Sequence, residues 1–413
     1  MILKARYVAP VTSPVIEDGA VQIRGGRIAA IGAACDVVDE SAIDFGEALI
    51  CPGFVNAHTH LELTSCAGRV PPSRDFVDWL TRLVALSTSE PPSFADVCGA
   101  VCDGIARSLA AGVTAVGDIT RFPAWTRSVL AGSKLRAVSF GEVVAIGKRR
   151  DRLSRRLDAA AAEAEASDRL RIGISPHAPY TVEPAALGIC ADRAAAIAAP
   201  LCIHLAETRA EREFTSARTG PFVDYLQRLG VWDDAIPTAG CSPVALADRC
   251  GVLTPRTIVA HANDVTSDDI ETFARRGVAV AYCPRTHSAF GHPPHSFIEM
   301  LAAGVNVCVG TDSLASNPSL SILEEIRFLH RRRPDTPAHT LLAMATVHGA
   351  RALGLAEAVG SLEVGMIADV TVVSLHGTDG RDAMERMLRA KGDPIATYVG
   401  GSRYEPVAAS SDP

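Results

Sequence analysis

The chain has 413 residues, of which 48% are hydrophobic and 21% are charged, and its formal net charge is −7. This composition is typical of a globular protein with a large core, and the negative charge argues against a nucleic-acid partner. No apolar run reaches the roughly 18 residues that a membrane span needs, so no membrane association is expected.

The cysteines and the first residues bear on the compartment. The eleven cysteines are odd in number and scattered, and no Cys-x-x-Cys pair occurs among them. Several fall inside apolar runs, which favours buried, reduced thiols. The first six residues, Met1–Arg6, lack the apolar core of a signal peptide. We therefore expect a cytoplasmic location.

Both ends of the chain have a β-rich pattern. Residues 1–50 alternate short β-prone runs with glycine turns, and Gly25-Gly26 between two alternating runs predicts a β-hairpin. A similar pattern returns only within residues 360–373 and 397–401. Strands at both ends around a different middle predict one small domain. The predicted division is a small β-sandwich domain of residues 1–50 and 360–403, a barrel domain of residues 51–359, and a loose tail of residues 404–413.

The middle of the chain alternates short apolar runs with segments of helical spacing, such as residues 93–111 and 319–332. Eight such β-then-α units predict an α/β fold, a TIM-like (β/α)₈ barrel. An open doubly wound sheet is the alternative, but eight units are many for it and no Gly-x-Gly-x-x-Gly follows the first strand. The predicted barrel strands are Leu49–Ala57, Val113–Asp118, Arg136–Val143, Arg171–Ser175, Leu201–His204, Thr257–Ala260, Val278–Tyr282 and Val305–Val309.

Two histidines one residue apart, His58 and His60, end the first of these strands. Residues i and i+2 of a strand point to the same face, so both imidazoles can reach one metal ion. In a barrel, the active site lies at the C-terminal ends of the strands. The side chains at these ends that suit metal binding or proton transfer are His58, His60, His177, His204, Glu207, His261 and Asp312.

Six short motifs, spread over nearly the whole chain, resemble those of a known family. They are Pro52-Gly53-Phe54-Val55-Asn56-Ala57-His58-Thr59-His60, Ser175-Pro176-His177-Ala178-Pro179-Tyr180, His204-Leu205-Ala206-Glu207-Thr208, His261-Ala262-Asn263, Gly310-Thr311-Asp312-Ser313 and Gly365-Met366-Ile367-Ala368-Asp369. Together they resemble the amidohydrolase superfamily, specifically its mononuclear deaminase/chlorohydrolase branch. The roles that the resemblance implies are metal binding by His58, His60, His204 and Asp312, proton relay by Glu207, and contact with the hydrolytic water by His261.

Elementary chemistry agrees with these implied roles. Three neutral imidazoles and one carboxylate suit Zn²⁺ or Fe²⁺, and such a metal lowers the pKa of a bound water toward about 7. Asp312 would accept the proton of this water, and Glu207 would protonate a ring nitrogen and later the leaving amine. An ordinary helix-start carboxylate is the alternative for Glu207. The binuclear branch usually adds a carboxylated lysine at the fourth strand, where this chain has His177, so we expect one metal ion.

The substrate side carries two further resemblances. The stretch around His177 is similar to that of adenosine-type deaminases, in which the histidine touches substrate, and residues 60–64 and 76–80 are similar to aminodeoxyfutalosine deaminases. A loop histidine that fixes local structure is the alternative for His177. After the seventh strand, the chain departs from the Cys-Pro-x-Ser-Asn of the branch. Its own loop predicts substrate contacts from Arg285 and His287. The alternative is a loop that is fixed by its prolines and whose histidines face solvent.

These observations predict a metal-dependent deaminase of an amino-substituted nitrogen heterocycle, an adenine-type nucleoside. Dechlorination of a triazine-like ring or hydrolysis of a cyclic amide in the same site is an alternative. An inactive metal-binding scaffold is another, although neither a ligand nor Glu207 is lost. The expected partner is a small heterocyclic substrate, with no nucleic acid and no membrane. The sequence leaves open whether the chain forms a homo-oligomer.

Overall fold

The computed structural model describes residues 1–37, 42–164, 167–380 and 382–406. Within these ranges the strands are β1 (Ile2–Val8), β2 (Ile16–Arg24), β3 (Arg27–Ala33), β4 (Ile43–Asp44), β5 (Ala48–Pro52), β6 (Phe54–Thr59), β7 (Val113–Thr120), β8 (Arg136–Val143), β9 (Leu170–Pro176), β10 (Leu201–Leu205), β11 (Thr257–His261), β12 (Ala279–Tyr282), β13 (Asn306–Val309), β14 (Val370–Ser374), β15 (Ala396–Val399) and β16 (Ser402–Arg403).

The α-helices lie mostly between the strands of the middle region. They are α1 (Ala34–Val37), α2 (Phe76–Ser89), α3 (Phe94–Ala110), α4 (Pro123–Ala131), α5 (Leu153–Ala161), α6 (Pro184–Ala196), α7 (Arg209–Ala217), α8 (Pro221–Arg228), α9 (Pro243–Arg249), α10 (Ser267–Arg276), α11 (Pro284–Phe290), α12 (Phe297–Ala302), α13 (Ile322–Arg332), α14 (Ala338–Met344), α15 (Val347–Ala352) and α16 (Ala383–Arg389). Two 3₁₀ helices are also present in the described chain, at Leu61–Cys66 and Gly147–Arg152. No helix among the described residues is long and apolar enough to cross a bilayer.

The middle region is a parallel barrel. Strands β6 to β13 pair in sequence order, and each runs parallel to the next. The ring closes where Thr59 forms a parallel bridge with Asp312 and where the Thr311 amide donates to Asn56 Oδ1 at 3.1 Å. The predicted TIM-like (β/α)₈ barrel is therefore confirmed.

The barrel strands are buried on both faces, which explains why the sequence shows them as apolar runs. Inward-facing side chains, among them Val55, Ala115, Val138, Ile258 and Cys308, form one buried cluster. The outward-facing side chains pack against the surrounding helices in a second, larger cluster. With the lower barrel filled by apolar side chains, the polar groups are concentrated at the C-terminal strand ends.

Seven of the predicted barrel strands agree with β7–β13 to within two residues at each end. The prediction of a single strand over Leu49–Ala57 was wrong, because the chain breaks at Gly53 into β5, which belongs to another sheet, and β6 of the barrel. Gly53 lies so close to the Thr114 side chain that any Cβ there would collide with it. Its amide donates to the carbonyl of Asp369 at 2.9 Å, which holds the crossing point.

The second sheet is mixed and combines both ends of the chain, in the order β16-β15-β14-β5-β1-β2-β3, with β4 beside β1. Strand β5 pairs in parallel with β1 and antiparallel with β14, so it joins the N-terminal strands to the C-terminal ones. The predicted β region built from both termini is confirmed, as is the hairpin at Gly25-Gly26, whose φ angles are +56° and +76°. The domain boundaries stay a prediction, and residues 407–413 of the predicted tail lie outside the described residues.

Candidate active site

A cavity of about 320 Å³ opens at the C-terminal ends of the barrel strands. Its inner end is the cluster that the sequence predicted. The predicted residues that line it are His60, His177, His204, Glu207, His261 and Asp312. His58 lies directly beneath them and is fully buried.

The spacing of the candidate metal ligands fits one ion. His60 Nε2 lies 3.2 Å from His204 Nε2, and Asp312 Oδ1 lies 3.5 Å from His60 Nε2 and 3.6 Å from His58 Nε2. Ligand atoms held about 2.0–2.1 Å from one ion in tetrahedral geometry are about 3.3–3.4 Å apart. The observed separations are close to these values. His261 forms an equally compact group with His58 and Asp312, so geometry alone makes it eligible as a ligand too.

The protonation of these imidazoles also suits a cation. The His204 Nδ1 donates to the carbonyl of His177 at 3.0 Å, which leaves the lone pair of Nε2 facing the cluster. Burial is the main cause that lowers the pKa of His204 to about 4 and those of His58 and His60 well below their ordinary value. His58 Nε2 is buried and has no hydrogen-bond partner among the described residues. Neutral nitrogens and one carboxylate are the donors that a divalent ion such as zinc binds, so the residues fit a metal.

Strained backbone aims the side chains at the strand ends. His261, Asp312 and Ala206, which precedes Glu207, have φ angles of +73°, +59° and +51°. The left-handed region costs a non-glycine residue on the order of 1–3 kcal/mol and occurs mainly at functional sites. Two hydrogen bonds of 2.8 Å hold the backbone of His261 and Asp312 in this conformation. His295 Nε2 donates to the carbonyl of His261, and Thr59 Oγ1 donates to the carbonyl of Asp312.

Glu207 is the buried acid of the site. It is 4% exposed, and its Oε1 lies 3.4 Å from His261 Nε2. Burial, followed by the nearby Asp312 charge, raises the pKa of Glu207 well above its ordinary value. A raised pKa favours the protonated form, which is the form that a proton donor needs. The sequence alternative of an ordinary helix-start carboxylate does not describe this environment.

Glu211 supports Glu207 and was missed at the sequence level. Its two carboxylate oxygens accept the backbone amides of Ala206, at 3.1 Å, and of Glu207, at 2.8 Å. Asp312 is supported in a similar way, since its Oδ2 accepts the Ser316 hydroxyl at 2.5 Å. An acidic residue four positions after Glu207 was the only sequence signal for Glu211.

Of the predicted substrate contacts, His177 alone lines the cavity. Its Nδ1 pairs with the Thr181 hydroxyl at 2.6 Å, so its Nε2 faces the open space. The structure does not bring Arg285 or His287 there. Arg285 donates to the Ser319 hydroxyl at 2.8 Å, and the His287 Nε2 donates to the carbonyl of Pro293 at 2.9 Å. Helix α11 begins directly after Cys283 and turns both side chains into the protein, so their predicted role has no support from this geometry.

The outer walls of the cavity carry residues that sequence reasoning did not select. One wall is apolar and comes largely from α2 and α8. The other wall is charged and follows β7, β8 and the 3₁₀ helix at Gly147–Arg152. The apolar wall includes Phe76, Trp79, Leu80, Leu83, Leu226 and Leu229, and the charged wall includes Glu62, Arg121, Glu142, Arg149, Arg152 and Arg156.

The arginines of the charged wall differ in their partners. The Arg121 Nε pairs with Glu62 Oε1 at 2.8 Å, and Arg156 donates to the Arg121 carbonyl at 3.3 Å. The side chains of Arg149 and Arg152 form no hydrogen bond or ion pair with any residue that the structure describes. Two guanidinium groups are thus free to meet an anionic group at the mouth of the cavity.

Comparison with known proteins places this geometry in context. The profile of the amidohydrolase family matches residues 49–404. The 5-methylthioadenosine/S-adenosylhomocysteine deaminase of Nitratidesulfovibrio vulgaris is 32% identical over 388 residues, which cover 88% of this chain and 80% of that protein. The aminodeoxyfutalosine deaminase of Deinococcus radiodurans is 31% identical over 350 residues and 81% of each chain. The crystal structure of an adenosine deaminase from Xanthomonas campestris, with bound zinc, superposes with a TM-score of 0.81 at 26% identity and covers 97% of this chain and 92% of that one.

Proposed function

The chain belongs to the amidohydrolase family, and we propose that it is a zinc-dependent deaminase that removes the amino group of an adenine-type nucleoside. The observation that carries this proposal is the buried Glu207, 3.4 Å from His261 and next to a donor set that fits a divalent ion. Two relatives support it by name, the 5-methylthioadenosine/S-adenosylhomocysteine deaminase and the aminodeoxyfutalosine deaminase described above.

The proposed roles of the site residues follow from their positions. His58, His60, His204 and Asp312 would hold the ion. A bound zinc ion would lower the pKa of a coordinated water toward about 7 and so supply the nucleophile.

The remaining steps are proton transfers by the chain's own groups. Asp312 accepts the proton of the attacking water on the oxygen that faces the histidines, while Ser316 holds its other oxygen. Glu207 donates its proton to the ring nitrogen next to the attacked carbon, takes a second proton from the oxygen that has been added, and passes it to the departing amine, which leaves as ammonia. The proton that Asp312 accepted then restores Glu207. His261, 3.4 Å from Glu207, hydrogen-bonds to the oxygen that has been added to the ring.

The outer cavity supports a nucleoside with a substituent on its sugar. The apolar wall around Trp79 and Leu83 suits an alkylthio group, and the free guanidinium groups of Arg149 and Arg152 suit a carboxylate beyond it. 5′-Methylthioadenosine has the first group and S-adenosylhomocysteine has both. We also propose a cytoplasmic location, which the reduced state expected of the eleven cysteines supports.

An ammonia-release assay on zinc-loaded protein tests the proposal. The substrates are 5′-methylthioadenosine, S-adenosylhomocysteine, 5′-deoxyadenosine, aminodeoxyfutalosine and adenosine, with a chlorotriazine and a cyclic amide as comparisons. We expect kcat/KM of about 10⁴ M⁻¹s⁻¹ or more for at least one adenine nucleoside. Chloride or a ring-opened acid from the comparison compounds, without ammonia from any nucleoside, would overturn the proposal.

A further inference from the structure

One buried carboxylate in the cavity has no role in the proposed chemistry. Glu142 lies near the end of β8, its side chain is 9% exposed, and it lines the cavity. No described residue donates a hydrogen bond to its side chain, and His177 Nε2 lies 3.9 Å from its Oε1. Because Glu142 lines the cavity and its oxygens have no donor within the protein, they can accept hydrogen bonds from a ligand that brings donors.

The surroundings of Glu142 decide which donors fit. Burial is the main cause that raises the pKa of this carboxyl, and the Glu62 charge adds to it, whereas the charges of Arg121 and Arg156 act in the opposite direction. Neither arginine bonds to it, because Arg121 is paired with Glu62 and Arg156 donates to a backbone carbonyl. Two guanidinium groups nearby oppose a cationic ligand group such as an ammonium. Neutral hydroxyl donors avoid this repulsion.

The position of Glu142 along the cavity points to one part of the substrate. The ring of its neighbour His177 is tilted by 44° against that of the candidate ligand His204, with ring centroids 4.9 Å apart. Arg156 and Tyr225 also lie near Glu142, and both are near Arg149 of the charged wall. Glu142 therefore stands between the group that reacts and the group that the arginines would bind. In a nucleoside, the sugar occupies that place.

We propose that Glu142 accepts hydrogen bonds from the 2′- and 3′-hydroxyl groups of the substrate's ribose and so selects ribonucleosides over their deoxy counterparts. The two carboxylate oxygens match a vicinal diol, as they match other paired donors. This inference rests on the proposed function, since it assumes a nucleoside in the cavity.

The test compares adenosine with 2′-deoxyadenosine and 3′-deoxyadenosine in wild-type protein and in Glu142→Ala and Glu142→Gln. A hydrogen bond to a charged group corresponds to roughly 10–100-fold in kcat/KM, so wild type should lose about that much for each missing hydroxyl. Glu142→Ala should lower kcat/KM about 10²-fold or more for adenosine, which loses two hydrogen bonds, and only roughly 10–100-fold for each deoxy substrate, which loses one. The three substrates should then be equal within about threefold. Glu142→Gln keeps the side-chain size and one acceptor oxygen, so its discrimination between adenosine and the deoxy substrates should lie between that of wild type and that of Glu142→Ala.

Metal content and the thermal unfolding midpoint of each variant show whether it is folded, and Glu271→Ala, at an exposed glutamate of α10, is the matched control. If Glu142→Ala does not fold, Glu142→Gln provides the test. Its ratio of kcat/KM for adenosine to kcat/KM for each deoxy substrate should be smaller than in wild type. Equal losses on all three substrates, or no discrimination by wild type, would overturn the role of Glu142 and leave the deaminase proposal intact. Absence of ammonia release from every adenine nucleoside would instead overturn the proposed function and this inference with it.

Discussion

Replacing Glu207 by Gln separates proton transfer from every other contribution of this side chain. The amide has the size of the acid, so it can keep the contact with His261 Nε2 at 3.4 Å and can still donate a hydrogen bond to a ring nitrogen. It cannot release a proton. The expected loss is therefore that of general acid–base catalysis, about 10²–10⁴-fold in kcat, which corresponds to about 2.7–5.5 kcal/mol of transition-state stabilisation.

Glu207→Gln should lower kcat without lowering the stability of the fold. Burial raises the pKa of Glu207, so the folded state loses stability as the pH rises from the ordinary pKa of 4.5 toward the higher folded value. The amide has no such penalty. At pH 8 the thermal unfolding midpoint of the variant should therefore be no lower than that of wild type, although its kcat has fallen.

The assay is steady-state ammonia release by zinc-loaded protein, together with metal analysis of each sample. Metal content should be unchanged in Glu207→Gln, because Glu207 is not among the candidate ligands. Glu271→Gln on the exposed face of α10 is the matched control and should behave as wild type. Near-wild-type kcat in Glu207→Gln would refute the proton relay and would favour a reaction that needs less protonation of its leaving group, such as dehalogenation.

Three further predictions concern the metal and the fold. His204→Ala should lose activity and also the single metal equivalent expected of wild type, as measured by metal analysis. The control His339→Ala, at an exposed histidine, should lose neither. Full activity of wild type only at two metal equivalents would contradict the prediction of one metal ion. Deletion of residues 360–413 removes β14 from its pairing with β5 and should make the chain aggregate, which size-exclusion chromatography detects; a soluble, fully active fragment would show that the two ends fold independently. Arg136→Met should lower the free energy of unfolding in urea by about 3–5 kcal/mol, because it leaves Asp369 buried without its 2.9 Å ion pair. Adding Asp369→Asn should restore part of that loss, and no loss in the single variant would contradict the reasoning.

The strands of the barrel could be predicted because burial on both faces leaves a continuous apolar run between polar strand ends. The same property explains the error at Leu49–Ala57. An apolar run carries no sign of which sheet it joins, and the change from β5 to β6 depends on the close approach of Gly53 to Thr114. That contact lies between residues far apart in the chain, so a local pattern cannot show it.

The candidate site divides in a similar way. His58, His60 and His204 could be found because each follows a recognisable strand within a short motif. Glu142 looks like an ordinary position of a barrel strand, and Arg149 looks like part of a solvated basic run. Only the folded arrangement shows that both face the cavity. Glu142 lies on β8 and Arg149 in a 3₁₀ helix, and no short motif encodes how these two elements are placed around the cavity.

The histidine-rich loop after β12 shows how a departure from a family pattern can be absorbed by structure. At the sequence level, its unusual composition predicted substrate contacts from Arg285 and His287. In the structure, this loop supplies His295, which donates to the carbonyl of His261 and so supports a backbone conformation at φ +73° that is costly on its own. Since His261 faces Glu207 across 3.4 Å, the loop acts on the proposed chemistry through the position of that imidazole. The sequence of this loop can therefore depart from the family motif, as long as one hydrogen-bond donor, here His295 Nε2, reaches the carbonyl of His261.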